Sequence, residues 1–271
     1  MSILNKEDYQ EPCCPLDMNQ GSERIDLRRV ISTLDAYLGR NDYAAGERHL
    51  KYWILEAEHA RDMQGKLSVL NEQIGLYRKI GKQEECFRAI EEALTLVEAL
   101  DMQGTITYGT TMVNAATGYK AFDRAEQAMP LYRKAQVIYE ENLAPEDEKL
   151  GTLYNNMALS LGALGEYEEA ESYFFKALDI MKYKDQGELE EAITYLNLAD
   201  LATAAEGEEQ AEEKIVSYLQ KAEDLLNTEG LIQNGYYAFV CDKCAPVFGY
   251  YGYFLTEQEL KERAKKIYER N

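Results

Sequence analysis

The segment from Tyr154 to Met181, YNNMALSLGALGEYEEAESYFFKALDIM, can be laid over the chain 42 residues earlier, from Met112, and another 42 residues earlier, from Leu70. A period of this size constrains the fold more than any compositional figure. It implies one supersecondary unit that buries its apolar face only by stacking on the next copy. Two small-residue columns, Cys86, Ala128, Ala170 and Ala93, Ala135, Ala177, each step by 42. A large-residue column runs Leu70, Met112, Tyr154, Tyr195, Tyr237, and a mostly small one runs Ile74, Ala116, Ala158, Ala199, Cys241. A third follows at Tyr77, Tyr119, Leu161, Ala202, Cys244, and the steps are 42, 42, 41 and 42. Within each unit these columns lie at i, i+4 and i+7, the stripe that a helix turns toward a packed neighbour. The second-helix columns surround Ile90, Tyr132 and Phe174 with small residues, as two closely approaching helices require.

Composition agrees with an all-α chain. There are five prolines, and the abundance of Ala, Leu and Glu over β-branched residues favours helix over strand. DMQGTIT, ENLAPED, YKDQGE and NTEGLIQN supply short connections between units. The units fall at about 25–60, 67–100, 109–143, 147–183, 188–228 and 231–270, in a single domain over 25–271 preceded by a tail or arm at 1–24. The first unit carries Gly46, Leu50 and Trp53 in its second-helix columns, with Trp53 as a large residue at an open end. The fifth unit has roughly four extra residues around AAEGEEQAEE, read as a lengthened turn. In the last unit Thr256 and Glu259 have capping-box spacing. Pro130 falls where a second helix should already be running, which predicts a kink or a late helix start. The aromatic run GYYGYFL at Gly249–Leu255, with Tyr236, Tyr237 and Phe239 ahead of it, is read mainly as cover for the last core, the alternative being an exposed contact patch.

The arrangement of Tyr154, Ala158, Leu161, Gly165, Tyr167, Ala170, Phe174 and Ala177 resembles the tetratricopeptide repeat. The usual period of that repeat is shorter, and the 42-residue step is similar to the long form found in kinesin light chains and in many bacterial repeat proteins. The resemblance extends over most of the chain. It implies a right-handed α-α superhelix, a tetratricopeptide-repeat solenoid of about six helix-turn-helix units, and a non-enzymatic scaffold or adaptor that binds a protein or an extended peptide segment in its concave groove. A second reading is a peptide-pheromone-type sensor whose superhelix changes shape on binding ligand.

Charge narrows the partners. Lys and Arg number 29 against 49 Asp and Glu, for a formal charge of -20. This disfavours nucleic acid and anionic membrane surfaces as partners. The opening MSILNKEDYQ lacks a signal-peptide pattern and no run of about 18 apolar residues occurs, so a cytoplasmic location is expected. No catalytic motif is recognisable, and neither a cofactor nor a metal is expected. Cys241 and Cys244 form a Cys-x-x-Cys, but both fall in packing columns, so they read as packed cysteines. A zinc site joining them to Cys13 and Cys14 is the weaker alternative. His49 and His59 are ten residues apart, off the spacing of a helical metal pair, and read as surface or interface residues. The sequence gives no signal for an oligomeric state.

The candidate ligand residues lie on the first helices. Asn114, Asn156 and Asn197 recur at steps of 42 and 41, with Asn71 and Asn155 in the neighbouring position. An amide carries both a donor and an acceptor, which suits the backbone of an extended peptide; the alternative is hydrogen bonding between repeats. Arg78, Lys79 and Lys120 form a modest basic rim, with Thr117, Leu159 and Asp200 as variable neighbours. The resemblance includes a subset that grips acidic chaperone tails through two lysines, two asparagines and an arginine. Here those positions fall on Asn71, Thr152, Gly75, Asn114 and Asn156, and only Asn114 fits, which disfavours that ligand.

Overall fold

The 42-residue period becomes helical hairpins. In the computed structural model, which describes residues 24–270, the described residues form twelve α-helices and no strand. The pairs are α1 (Leu27–Gly39) with α2 (Tyr43–His59), α3 (Met63–Lys79) with α4 (Gln83–Ala99), and α5 (Ile106–Lys120) with α6 (Ala125–Asn142). They continue with α7 (Glu148–Ala163) and α8 (Tyr167–Met181), α9 (Glu188–Glu206) and α10 (Glu208–Leu226), and α11 (Gly235–Tyr250) and α12 (Phe254–Tyr268). The chain divides into two compact units, one ending at Ile138 within α6 and the other beginning at Tyr139. In the first unit α2 packs between α1 and α3, α4 between α3 and α5, and the first helices α1, α3 and α5 touch in sequence. In the second, α7 packs on α8, α9 on α10 and α11 on α12, while α9 also meets α7, α8 and α11.

Local chemistry sets the helix boundaries. Asp26, Asp42, Asp62, Thr105, Asp147 and Asn234 each accept a backbone N–H of the helix that follows, meeting donors that a helix start leaves unpaired. Each hairpin turns on one left-handed residue: Asn41, Gly81, Asp123, Gly165, Gly207 or Gly252. Asn, Asp and Gly are the residue types that take this conformation at least cost. The repeat columns are the core. Cys86, Ala93, Ala128, Ala135, Ala170 and Ala177 are fully buried, as are Ala116, Ala158, Ala199 and Cys241. At Gly118 of α5 an added Cβ would lie 2.7 Å from Ile90 Cδ1, which is why that first-helix position carries no side chain.

Several expectations are corrected. The extra residues of the fifth hairpin do not lengthen its turn, because Gly207 alone, with φ of 86°, joins α9 to α10. Ala, Glu and Gln are strong helix formers, and the insertion becomes an added first turn of α10. Thr256 is no cap. α12 starts at Phe254 after the left-handed Gly252, and the Thr256 hydroxyl donates to Glu223 Oε1 at 2.7 Å. α6 begins at Ala125 and continues through an exposed Pro130, so the late start does not occur. The carbonyl that Pro130 cannot serve belongs to exposed Glu126, where water is at hand.

His49 is a core residue. Its Nε2 donates to the Val30 carbonyl at 2.9 Å, and its ring lies edge-on to Tyr37 and Trp53. Trp53 packs with Val30, Leu34, Leu50, Val69 and Leu76, so it fills a cluster in the interior of the first unit. The aromatic stretch near the C-terminus is split: Tyr237 and Phe248 are buried, while Tyr236, Phe239, Tyr250, Phe254 and Leu255 are exposed.

Candidate functional site

The asparagines that recur in sequence meet in pairs. In the first unit Asn71 of α3 donates through Nδ2 to the Thr111 hydroxyl of α5 at 3.2 Å and to the Leu67 carbonyl at 3.1 Å. Its Oδ1 accepts from Asn114 Nδ2 at 3.0 Å, and Thr111 donates onward to the Thr107 carbonyl at 3.0 Å. A looser copy joins α7 and α9. Asn155 Oδ1 lies 3.4 Å from Thr194 Oγ1 and 3.5 Å from Asn197 Nδ2, and Thr194 donates to the Glu190 carbonyl at 2.9 Å. The inter-repeat hydrogen bonding that the sequence left open is therefore present in both units. It does not exhaust the amides. Among the described residues Asn114 Oδ1, Asn197 Oδ1 and Asn155 Nδ2 make no hydrogen bond to protein, and all three side chains are half-buried.

These sets imply a stability cost that depends on their geometry. Asn71→Ala should lower stability by about 1–2 kcal/mol, since it strands the Asn114 amide and removes a partner of buried Thr111. Asn155→Ala, whose contacts are longer, should cost less than half as much. Paired urea melts of the two variants measure the difference, and equal losses would mean that the bonds do not set the order.

The remaining sequence candidates separate into different roles. Thr117 faces its own hairpin, donating to the Val113 carbonyl at 2.8 Å and lying 3.0 Å from the buried Tyr132 hydroxyl. Asp200 accepts from Tyr251 at 3.0 Å, tying α9 to the end of α11; crowding by protein raises its carboxyl pKa despite that bond. Arg78 and Lys79 are exposed at the end of α3, with the Lys79 ammonium over the Tyr43 ring at 5.8 Å. Lys120 and Asn156 are half-buried and engaged by neighbouring groups.

Thr111 and Thr194 were missed from sequence, although a Thr three residues before Asn114 and Asn197 was visible. So were the tyrosine–carboxylate pairs, for which no spacing rule exists. Tyr154 donates to Glu140 at 2.9 Å, Tyr77 to Glu47 at 3.4 Å and Tyr236 to Glu190 at 3.0 Å.

The cysteines are packed. Cys241 and Cys244 are buried in α11, and burial pushes the Cys244 thiol up to about 12, far from a reactive thiolate. No cluster of three or more metal-ligating side chains occurs among the described residues, and Cys13 and Cys14 lie outside them. No described helix is long and apolar enough to cross a membrane.

Comparison with known proteins places this geometry. The tetratricopeptide repeat family matches residues 149–227, the stretch from α7 through α10. No curated protein matches the chain in sequence. Among solved structures, BtubC (BKLC) from P. vanneervenii is 22% identical with a TM-score of 0.57, covering 84% of this chain and 90% of that one. A putative kinesin light chain from Podosopora anserina with nearly identical TPR-like repeats is 17% identical with a TM-score of 0.55, covering 74% and 94%. A Rap protein complexed with competence and sporulation factor is 16% identical with a TM-score of 0.53, covering 89% and 74%. At these identities the likeness is one of fold. The tetratricopeptide repeat family is matched directly in α7–α10, and the same hairpin, left-handed turn residue and buried columns recur before and after that stretch.

Proposed function

We propose that the chain is a non-enzymatic binding scaffold whose first-helix faces take an extended segment of a partner protein or peptide. The observation that carries this reading is the state of Asn114 and Asn197. Each amide is oriented by a hydrogen bond to the preceding repeat, and each keeps a carbonyl oxygen with no protein donor among the described residues. A peptide backbone presents N–H groups to such acceptors whatever its side chains, and an acceptor fixed in advance loses little freedom on binding. Arg78 and Lys79 add exposed charge at the end of α3. The Rap neighbour, a complex with competence and sporulation factor, supports the reading as a relative in fold that holds a ligand.

The test uses the full chain against an immobilised random-peptide array, with affinities of the hits measured by fluorescence anisotropy. Asn114→Ala and Asn197→Ala should each weaken hits on their own unit by about 5–10-fold, the worth of one hydrogen bond. Asn71→Ala, which leaves the Asn114 carbonyl in place but removes the bond that orients it, should weaken hits on the first unit by a smaller factor than Asn114→Ala. Affinities unchanged in both variants would reduce the asparagines to a purely structural role.

A further inference from the structure

The acidity of the chain is unevenly distributed. Residues 139–271 hold 28 Asp and Glu against 12 Lys and Arg, a net of −16, whereas residues 1–138 hold 21 against 17, a net of −4. Within the second unit, α9 has five acidic residues and no basic one, and α11 has one of each, Asp242 and Lys243.

On α11 the hydrogen-bonding set of the preceding repeat is replaced. Tyr236 and Phe239 stand 42 residues after Thr194 and Asn197. Their rings stack at 6.3 Å with planes 25° apart, and they remain 43% and 52% exposed. The Tyr236 hydroxyl donates to Glu190 Oε1 at 3.0 Å, and Lys184 holds the same oxygen at 3.0 Å. Glu190 Oε2 has no protein donor among the described residues.

Two exposed rings beside an open carboxylate oxygen match one side chain in particular. A guanidinium stacks on an aromatic face and directs its N–H fork to a carboxylate. An aliphatic side chain would use the rings but not the field, and an acidic one would be repelled. Lys243, one turn beyond Phe239, is the single base on these two helices, and Lys184 from the α8–α9 connection divides its charge between Glu190 Oε1 and Glu148 Oε2. We infer that the α9–α11 face binds a basic, arginine-bearing segment of a partner protein, with the arginine laid over Tyr236 and Phe239 and directed to Glu190. This rests on the reading of the chain as a binder of extended segments and adds the chemistry of the side chain it selects.

The experiment titrates the full chain into fluorescein-labelled Gly-Ser-Arg-Gly-Ser-Arg-Gly-Ser at about 150 mM salt, where long-range attraction is damped. Versions with citrulline, lysine or glutamate in place of arginine run in parallel. The arginine peptide should bind, the citrulline peptide about 10-fold or more weakly, and the lysine peptide in between. Phe239→Ala and Glu190→Gln should each weaken arginine-peptide binding about 5–10-fold. Phe239 is exposed, so its variant should keep the parent helicity and melting temperature. Absence of arginine-peptide binding overturns the proposal, as does binding that both substitutions leave unchanged or that lysine matches in full. If array hits are weakened by Asn197→Ala while the arginine peptide stays unbound, the scaffold reading stands and this one falls. Arginine binding that needs Phe239 but neither asparagine leaves this one standing and removes the amides from recognition.

Discussion

Phe174→Ala should lower the stability of the second unit by ~3–5 kcal/mol, the range for emptying a fully buried aromatic site. Phe174 is 1% exposed and sits between the wholly buried Ala170 and Ala177 columns of α8, where alanines leave no long side chain to swing into the space. α8 packs on both α7 and α9, so a loosened α8 affects consecutive hairpins. Stacked repeats draw much of their stability from such neighbour interfaces, and α9–α10 should loosen together with α7–α8. Thermal melts followed by circular dichroism measure the loss, and hydrogen exchange locates it. Phe175→Ala is the matched control: the adjacent ring is 44% exposed, and its removal should change stability by about 0.5 kcal/mol or less. Equal losses for the two variants would contradict the assignment of α8's buried face.

The second large effect is alkaline destabilisation. Burial pushes the Cys86 thiol from 9.0 to about 11 and the Cys244 thiol from 9.0 to about 12. It also pushes the Tyr132 phenol from 10.0 to about 12, against a small opposing pull from its hydrogen bond to Thr117. All three groups hold their protons more tightly folded than unfolded. Below pH 9 both states are protonated and the full stability is present. Above it the unfolded chain releases protons that the folded chain retains, so stability falls as pH rises toward the folded values. Each pH unit in that window costs ~1.4 kcal/mol per group, so the two thiols together remove roughly 3 kcal/mol by pH 10, and Tyr132 joins above that. Urea midpoints at pH 8, 9, 10 and 11 trace the decline, and Cys86→Ala should flatten its first part. A midpoint that stays level to pH 11 would show that these groups are not held protonated by the fold.

Most of the fold was legible in the sequence, because periodic packing leaves a periodic trace. Small residues at Ala93, Ala135 and Ala177 are demanded wherever two helix axes approach, and nothing else repeats them at 42. The added turn of α10 was misread because Gly207 signals a break without saying how far the helix resumes behind it. His49 was misplaced because nothing in the register indicates that the Val30 carbonyl reaches the ring.

At the candidate site the sequence supplied the asparagine column but not its partners. A recurring Asn is compatible with bonding to a ligand or to the next repeat, and only distances separate the two. Tyr236 and Phe239 were visible as aromatics. Their exposure and the anchoring of Tyr236 by Glu190 depend on α9 and α11 lying side by side.

The two asparagine sets differ in the length of chain they span. Asn71 reaches partners 40 and 43 positions ahead, and Asn155 reaches partners 39 and 42 ahead. Both keep Thr and Asn three residues apart on a single helix. The contact therefore gauges one helical turn and holds across a one-residue difference in the intervening chain, which lies in the helices because the linkers after α4 and α8 are both six residues long. The mating surfaces of adjacent hairpins stay in step although α8 is two residues shorter than α4.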